Sequence, residues 1–208
     1  MKKRIAALVS VVLVAALAGN SYGLVIGNFE GGLDGWLAND AALSVSSTGA
    51  TTGSGAMLLE MGVGGWHING RYDAKPIRDV LGMTTEISMD ITAFAQDMTA
   101  TWMNVEVVIN GMNSDDTGPH NNIGWRPLGG KDLVLDGVAH SYTWTVPTAL
   151  MTQLAGVDGN IWWLEVMLVS NNDSSNTKFY VDNVQLIPEP ATLGLLGLGG
   201  LALLRHRK

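Results

Sequence analysis

The stretch Glu86-Ile87-Ser88-Met89-Asp90-Ile91-Thr92 alternates polar and apolar side chains without interruption. Successive side chains of a β-strand point to opposite faces, so this pattern predicts a strand that is buried on one face and polar on the other. Few other stretches have the three-to-four-residue spacing of an amphipathic helix. We therefore expect β-strands to be the main building units of the fold.

Five further stretches predict strands, by the same alternation or by an apolar run bounded by turn residues. They are residues 56–61, 102–110, 141–146, 162–169 and 178–186. Gly-rich links such as residues 48–55 separate the strands, residues 147–155 favour one short helix, and Asp79 lies in a predicted turn. This arrangement predicts an all-β fold, a β-sandwich of two antiparallel sheets, for residues 24–187.

The N-terminal residues 1–23 have the pattern of a secretory signal peptide. Met1-Lys2-Lys3-Arg4 is a positive segment, and residues 5–18 are apolar apart from Ser10. We expect cleavage between Ala18 and Gly23, which places the mature protein outside the cytoplasm.

The C-terminal residues 188–208 have three parts: Pro188-Glu189-Pro190, an uncharged run of fourteen residues, and a basic end that contains Arg205 and Arg207. Fourteen helical residues span about 21 Å, which is less than the ~30 Å hydrocarbon core, so the predicted apolar helix is a marginal membrane anchor. The basic end is expected on the cytoplasmic side, with the body of the chain outside.

These three parts resemble the PEP-CTERM sorting signal of exported bacterial proteins. The resemblance implies transient anchoring in the inner membrane until an exosortase cuts near Pro188-Glu189-Pro190. The implied partners are the exosortase and the export machinery, and the implied destination is the cell surface or the extracellular matrix. A plain, permanent C-terminal anchor is the alternative.

The body between the two ends is acidic and has no cysteine. Residues 24–187 carry six basic and eighteen acidic residues, a net charge of −12. Nucleic acid is excluded as an expected partner because its binding needs a basic face. The missing cysteine excludes disulfides, thiolate metal sites and cysteine nucleophiles. Divalent cations and polar glycans remain compatible partners, and solubility alone is the other explanation of the charge.

Both ends of the body are similar to galactose-binding-like, carbohydrate-binding-module jelly rolls. Asn28-Phe29-Glu30 and the following residues 31–36 resemble their opening, and Phe179-Tyr180-Val181-Asp182-Asn183-Val184 resembles their closing strand. The resemblance implies a jelly-roll β-sandwich. It also implies a structural Ca²⁺ ion held by Glu30 and Asp182, with backbone carbonyls near Asn28 and in residues 51–54 completing the oxygen ligands. The alternative is that Asp182 caps a turn or pairs with Lys178.

Strand periodicity predicts a candidate glycan-binding face. It places Trp102, Asn104 and Glu106 on one face of their strand. It turns Trp163 and Glu165 outward from the next apolar strand, and we expect the polar face of residues 86–92 in the same outer sheet. Indole rings stack on the C–H face of a pyranose, and carboxylates and amides hydrogen-bond its hydroxyls.

The loop tryptophans are the second candidate group. Trp66 lies in the polar segment 64–73, and Trp125 lies in the long link 111–127. Both are predicted to flank a binding groove, with a plug over the end of the core as the alternative. Trp36 and Trp144 are assigned to the core.

These patterns predict a non-catalytic glycan-binding module that associates with exopolysaccharide. A purely structural matrix protein without a glycan site is the first alternative. The second is a sandwich-fold glycoside hydrolase that uses Glu106 and Glu165, because such enzymes place two carboxyl groups about 5 to 9.5 Å apart.

Overall fold

A computed structural model describes residues 23–39, 41–61, 67–97, 103–111, 123–156, 163–170 and 177–188. Eleven strands form two antiparallel sheets in this part of the chain. They are β1 (Leu24–Gly27), β2 (Trp36–Asn39), β3 (Ala41–Ser46), β4 (Ala56–Met61), β5 (His67–Asp73), β6 (Thr84–Thr92), β7 (Met103–Asn110), β8 (Trp125–Asp132), β9 (His140–Thr145), β10 (Trp163–Ser170) and β11 (Lys178–Pro188). The predicted all-β sandwich is confirmed.

The six-stranded sheet has the order β3-β4-β11-β6-β9, and β1 also pairs with β11. β6 occupies one edge of β11 from Tyr180 to Pro188. On the other edge, β4 pairs with the first half of β11 and β1 pairs with the second half. The change of partner coincides with Asn183, whose φ of 52° marks an irregularity in the strand. The first and last strands of the body therefore lie side by side.

The five-stranded sheet has the order β2-β5-β10-β7-β8. β10 is its central strand, and its residues pair with β5 on one edge and with β7 on the other. The strongly apolar sequence of β10 suits this central position, because both of its edges and one of its faces are covered.

The core lies between the sheets and follows the predicted alternation. Ile87, Met89 and Ile91 of β6 are buried, as are Val105, Val107 and Ile109 of β7 and Leu164 and Val166 of β10. Trp36 and Trp144, which were assigned to the core, are each 1% exposed. Each large apolar side chain buried in this way stabilises the fold by about 1.5–3 kcal/mol.

Two helices cover one end of the sandwich. α1 (Arg78–Leu81) follows a 3₁₀ turn at Lys75–Ile77, and α2 (Thr148–Gly156) corresponds to the predicted helix at residues 147–155. Leu81 of α1 and Leu150 and Leu154 of α2 are buried, and the two helices pack against each other. Within the ranges described, no helix is long and apolar enough to cross a membrane. Residues 1–22 and 189–208 lie outside those ranges.

Candidate functional site

The side of the five-stranded sheet that faces away from the six-stranded sheet is called here the outer face. On β10 it carries Trp163 and Glu165, because Leu164 and Val166 point into the core. On β5, Gly70 faces the core, because a Cβ added at Gly70 would meet Leu59 and Leu43 of the other sheet. Its neighbours Asn69 and Arg71 therefore lie on the outer face. The outer face therefore includes six polar residues: Asn39, Asn69, Arg71, Glu106, Asn110 and Glu165.

Glu165 is the central acidic residue of the outer face, and it is only 3% exposed. Asn69 Nδ2 donates to Glu165 Oε2 at 2.9 Å, and Asn110 Nδ2 donates to Glu165 Oε1 at 2.9 Å. One donor comes from β5 and the other from β7. A buried carboxylate is costly unless it is hydrogen-bonded, so these two amides hold Glu165 in place and offset its loss of hydration.

The hydrogen bonds continue from Glu165 towards the edge of the sheet. Asn39 Nδ2 donates to Asn69 Oδ1 at 3.0 Å, and Arg71 Nη1 donates to Asn39 Oδ1 at 3.3 Å. A connected set of amide, carboxylate and guanidinium groups thus spans four strands, β2, β5, β10 and β7. Because each member fixes the next, the polar floor of the outer face is preorganised.

The guanidinium of Arg71 lies over the indole of Trp163, with Arg71 Cζ 4.2 Å from the ring centroid. A cation in this position is stabilised by about 0.5–2 kcal/mol. Arg71 Nε is buried and has no hydrogen-bond partner among the residues that the structure describes. Arg71 therefore covers one face of the Trp163 indole.

Trp163, Asn110 and Trp125 lie at the same level of three neighbouring strands. Trp163 is the cross-strand partner of Asn110, and Asn110 is the partner of Trp125 on β8. Neighbouring strands are about 4.8 Å apart, so the two tryptophans are about 10 Å apart at their backbones. Trp125 is 40% exposed. Two indoles thus stand on either side of a buried amide.

Glu106 and Asn104 lie on the same face of β7, as predicted from strand periodicity. Glu106 is half-buried and faces Met167, so it is a diagonal neighbour of Glu165 at about 7–8 Å between backbones. Asn104 lies over Gly130 of β8, and its Oδ1 atom is buried without a partner in the described part of the chain. Both residues belong to the edge of the outer face near β8.

The expectation that residues 86–92 share this sheet is wrong. They form most of β6, which pairs with β11 and β9 in the other sheet. Alternation identifies the faces of a strand but carries no information about the sheet it joins. Trp66 and Trp102, the other two predicted contact residues, lie outside the described residues.

The sequence did not predict Asn39 or Asn110 as site residues, and it placed Asn69 and Arg71 in the candidate segment 64–73 as parts of a loop rather than of a strand. β5 has the sequence His-Ile-Asn-Gly-Arg-Tyr-Asp, in which Gly70 occupies a core-facing position. Glycine weakens the apolar half of the alternation, so the segment has the appearance of a loop. Asn69 and Arg71 are two residues apart, on either side of Gly70, and this polar alternation was the signal that indicated a strand with a polar face.

A second polar cluster joins Glu30, Asp182 and residues 51–55. Asp182 is fully buried, and its Oδ2 accepts hydrogen bonds from the backbone N–H groups of Thr51 at 2.7 Å and Thr52 at 2.9 Å. Glu30 Oε1 accepts from the N–H groups of Ser54 and Gly55, both at 2.7 Å. The backbone donors Gly55 and Ser54 lower the pKa of Glu30.

The two carboxylates predicted to bind calcium therefore contact the same short loop. The loop turns amide N–H groups towards them, whereas calcium requires oxygen ligands. In the described ranges, no group of three or more His, Asp or Glu residues is placed to hold a metal ion. Calcium binding stays a prediction. Lys178, the alternative partner of Asp182, pairs with Asp97 at 3.6 Å.

Comparison with known proteins identifies the sorting signal and the fold. Residues 186–208 match the PEP-CTERM protein-sorting motif, which confirms the resemblance of the C-terminal segment. None of the curated proteins matches the chain.

Three solved carbohydrate-binding modules are similar to the body. The CBM22-1 xylan-binding domain of Paenibacillus barcinonensis Xyn10C has a TM-score of 0.53 at 14% identity, covering 82% of this chain and 99% of that domain. Caldicellulosiruptor saccharolyticus CBM27-1, solved with mannohexaose, has a TM-score of 0.55 at 16% identity, with 82% and 99% covered. A non-crystalline-cellulose-specific CBM28 has a TM-score of 0.50 at 17% identity, with 79% and 94% covered. These similarities establish the carbohydrate-binding-module jelly-roll fold.

Proposed function

We propose that the body is a non-catalytic glycan-binding module, carried to the cell surface by its sorting signal, and that the outer face binds the glycan. The observation that carries this proposal is the buried Glu165, held by Asn69 and by Asn110, the residue that lies between Trp163 and Trp125 on neighbouring strands. A fold that needed only a stable sandwich would gain nothing from a buried acidic residue at the centre of one sheet face.

The groups of the outer face suit a neutral or polar polysaccharide. The exposed indole of Trp125 offers a stacking surface for the C–H face of a sugar ring. The half-buried carboxylate of Glu106 is a hydrogen-bond acceptor, and the half-buried guanidinium of Arg71 is a donor. Stacking and directional hydrogen bonds at fixed spacing are what recognition of a repeating chain of hydroxylated rings requires.

The arrangement of Glu165 favours binding over glycoside hydrolysis. In a hydrolase one carboxyl group donates a proton and the other attacks or activates water, so both must reach the substrate. Each carboxylate oxygen of Glu165 is already engaged by an amide donor, and the residue is buried. The similar solved structures are carbohydrate-binding modules, which supports the same conclusion.

The sorting motif supports export and a cell-surface destination. We propose, in addition, that residues 1–23 direct secretion, that residues 191–204 anchor the chain transiently in the inner membrane, and that an exosortase cuts near Pro188-Glu189-Pro190. Glu189, Pro190, Arg205 and Arg207 lie outside the described residues, whereas Pro188 is the last residue of β11. The proposed glycan partner is the exopolysaccharide of the same cell.

The test is retention of the recombinant body, residues 23–188, in gels that contain xylan, mannan, cellulose derivatives or the host exopolysaccharide. Retention by at least one polysaccharide, with no release of reducing ends, is the expected result. Retention by none would favour the structural matrix protein. Release of reducing ends that Glu106→Gln abolishes would favour the hydrolase.

A further inference from the structure

The sorting signal begins inside the folded body. Pro188, its first proline, is the cross-strand partner of Thr84 on β6. Just before it, Ile187 faces Glu86, and Thr85 Oγ1 donates to the Ile187 carbonyl at 3.2 Å. Leu186 has a partner on both sides, since it also pairs with Leu24 of β1. No spacer therefore separates the sandwich from the sorting motif.

The distance between the body and the apolar run is correspondingly short. Only Glu189 and Pro190 lie between Pro188 and the fourteen-residue run that begins at residue 191. Three Cα–Cα steps span at most about 10 Å in an extended chain. The polar headgroup layer on one side of a bilayer is about 5–7 Å thick. An apolar run inserted in a bilayer would thus hold the end of β11 at the headgroup layer.

Exposed apolar side chains surround the point where the tail leaves the body. Leu24 is 42% exposed and Val25 is 45% exposed at the start of β1, beside the end of β11. Met83 is 58% exposed and directly precedes Thr84, the partner of Pro188. Because β1 begins where β11 ends, the N-terminal end of the body leaves the sandwich at the same place. We call this surface, formed by Leu24, Val25 and Met83, the exit surface.

We propose that the exit surface rests on the lipid headgroups of the membrane that holds the sorting tail. This inference depends on the proposed anchoring of residues 191–204. Three apolar side chains are too few to hold an acidic domain on a membrane by themselves, so the contact lasts only while the tail is attached. The strands then stand away from the membrane, the outer face opens sideways, and its glycan site is accessible before and after the tail is cut.

The chain contains no cysteine, so a single introduced cysteine can be labelled uniquely. Met83→Cys places a polarity-sensitive fluorophore on the exit surface. Val138→Cys is the matched control, because Val138 is also 58% exposed. Val138 lies two residues before His140, the first residue of β9. His140 pairs with Ile91, which is about 23 Å along β6 from Thr84. Both variants are purified as residues 24–208 in phospholipid nanodiscs.

A water-soluble quencher should quench the Met83→Cys label several-fold less in the tail-containing protein held in nanodiscs than in the same variant ending at Pro188, which lacks the tail. The Val138→Cys label should be quenched equally in both. Inserting a ten-residue Gly-Ser spacer after Pro188 should restore quenching at position 83. Equal quenching at both positions in nanodiscs would overturn the inference while leaving anchoring intact. A chain that does not associate with nanodiscs would overturn the anchoring and this inference together.

Discussion

Arg71 and Glu165 are direct cross-strand partners, yet they do not form an ion pair. Glu165 accepts hydrogen bonds from Asn69 and Asn110, and the guanidinium of Arg71 turns instead onto the ring of Trp163. Direct pairing would neutralise both side chains within the protein. The observed arrangement leaves donor capacity on Arg71 at the surface where the glycan is proposed to bind.

Glu165→Ala should destabilise the body by about 2–4 kcal/mol, because it leaves the amides of Asn69 and Asn110 without their buried acceptor. Urea unfolding measures this change in the free energy of unfolding. Glu106→Ala is the control, and it should change that free energy by less than about 0.5 kcal/mol, since Glu106 is half-buried and no residue in the described ranges donates a hydrogen bond to it. Equal effects of the two substitutions would show that the amide contacts contribute nothing.

Trp125→Ala should weaken polysaccharide binding about tenfold with little change in stability. Trp125 is 40% exposed, so its removal takes away a stacking surface but little of the core. Isothermal titration calorimetry with an oligosaccharide of a polysaccharide that retains the body gives the affinity. Val45→Ala is the matched control, because Val45 is 44% exposed and lies on β3, an edge strand of the other sheet. Equal losses in both variants would point to a general effect of trimming the surface.

The predicted calcium site has a direct thermodynamic test. An ion held by Glu30 and Asp182 would stabilise the folded body, so the Tm should rise as calcium is added. When the calcium concentration is one hundred times the dissociation constant, the free energy of unfolding should rise by about 2.7 kcal/mol. EDTA should reverse the effect, and Glu30→Gln should abolish it. An identical Tm in EDTA and in calcium would establish that the N–H groups of residues 51–55 hold the carboxylates without a metal.

Acid should remove the stabilisation contributed by Glu30. The pKa of Glu30 is lowered in the folded protein from its ordinary value of 4.5, chiefly by the N–H groups of Gly55 and Ser54. A lowered folded pKa means that the stabilisation is complete above pH 4.5 and is lost as the pH falls through the folded pKa. The stability difference between wild type and Glu30→Gln, measured in EDTA by urea unfolding, should therefore shrink below pH 4.5. A difference that is constant from pH 7 to pH 3 would contradict this.

Alternation in the sequence was sufficient to predict the faces of the regular strands. Among the side chains that the structure describes, those assigned to the core in residues 86–92, 102–110 and 162–169 are buried in β6, β7 and β10, because each strand has one face in the core. The strands β1, β2, β3, β5 and β8 were not predicted. β1 and β2 have only four residues each, and β8 contains Pro127, Gly129 and Gly130, which interrupt a strand pattern.

The candidate site was only partly predictable for a different physical reason. Glu106, Trp163 and Glu165 were placed on the correct face, but the partners of Glu165 come from strands far away in sequence. Asn69 is 96 residues from Glu165, and Asn110 is 55 residues away. Sheet order and register decide such contacts, and both depend on long-range pairing that local periodicity does not encode.

The central claim, glycan binding on the outer face, is tested most directly by the indole N–H resonances of the tryptophans during titration with an oligosaccharide that the body retains. Trp36 and Trp144 are internal controls, because their Nε1 groups donate to the carbonyls of Ile26 at 3.0 Å and Gly129 at 2.8 Å inside the protein. Binding at the outer face predicts saturable shifts of the Trp125 and Trp163 signals while the two control signals stay in place. Saturable binding that leaves the Trp125 and Trp163 signals unmoved would contradict the claim.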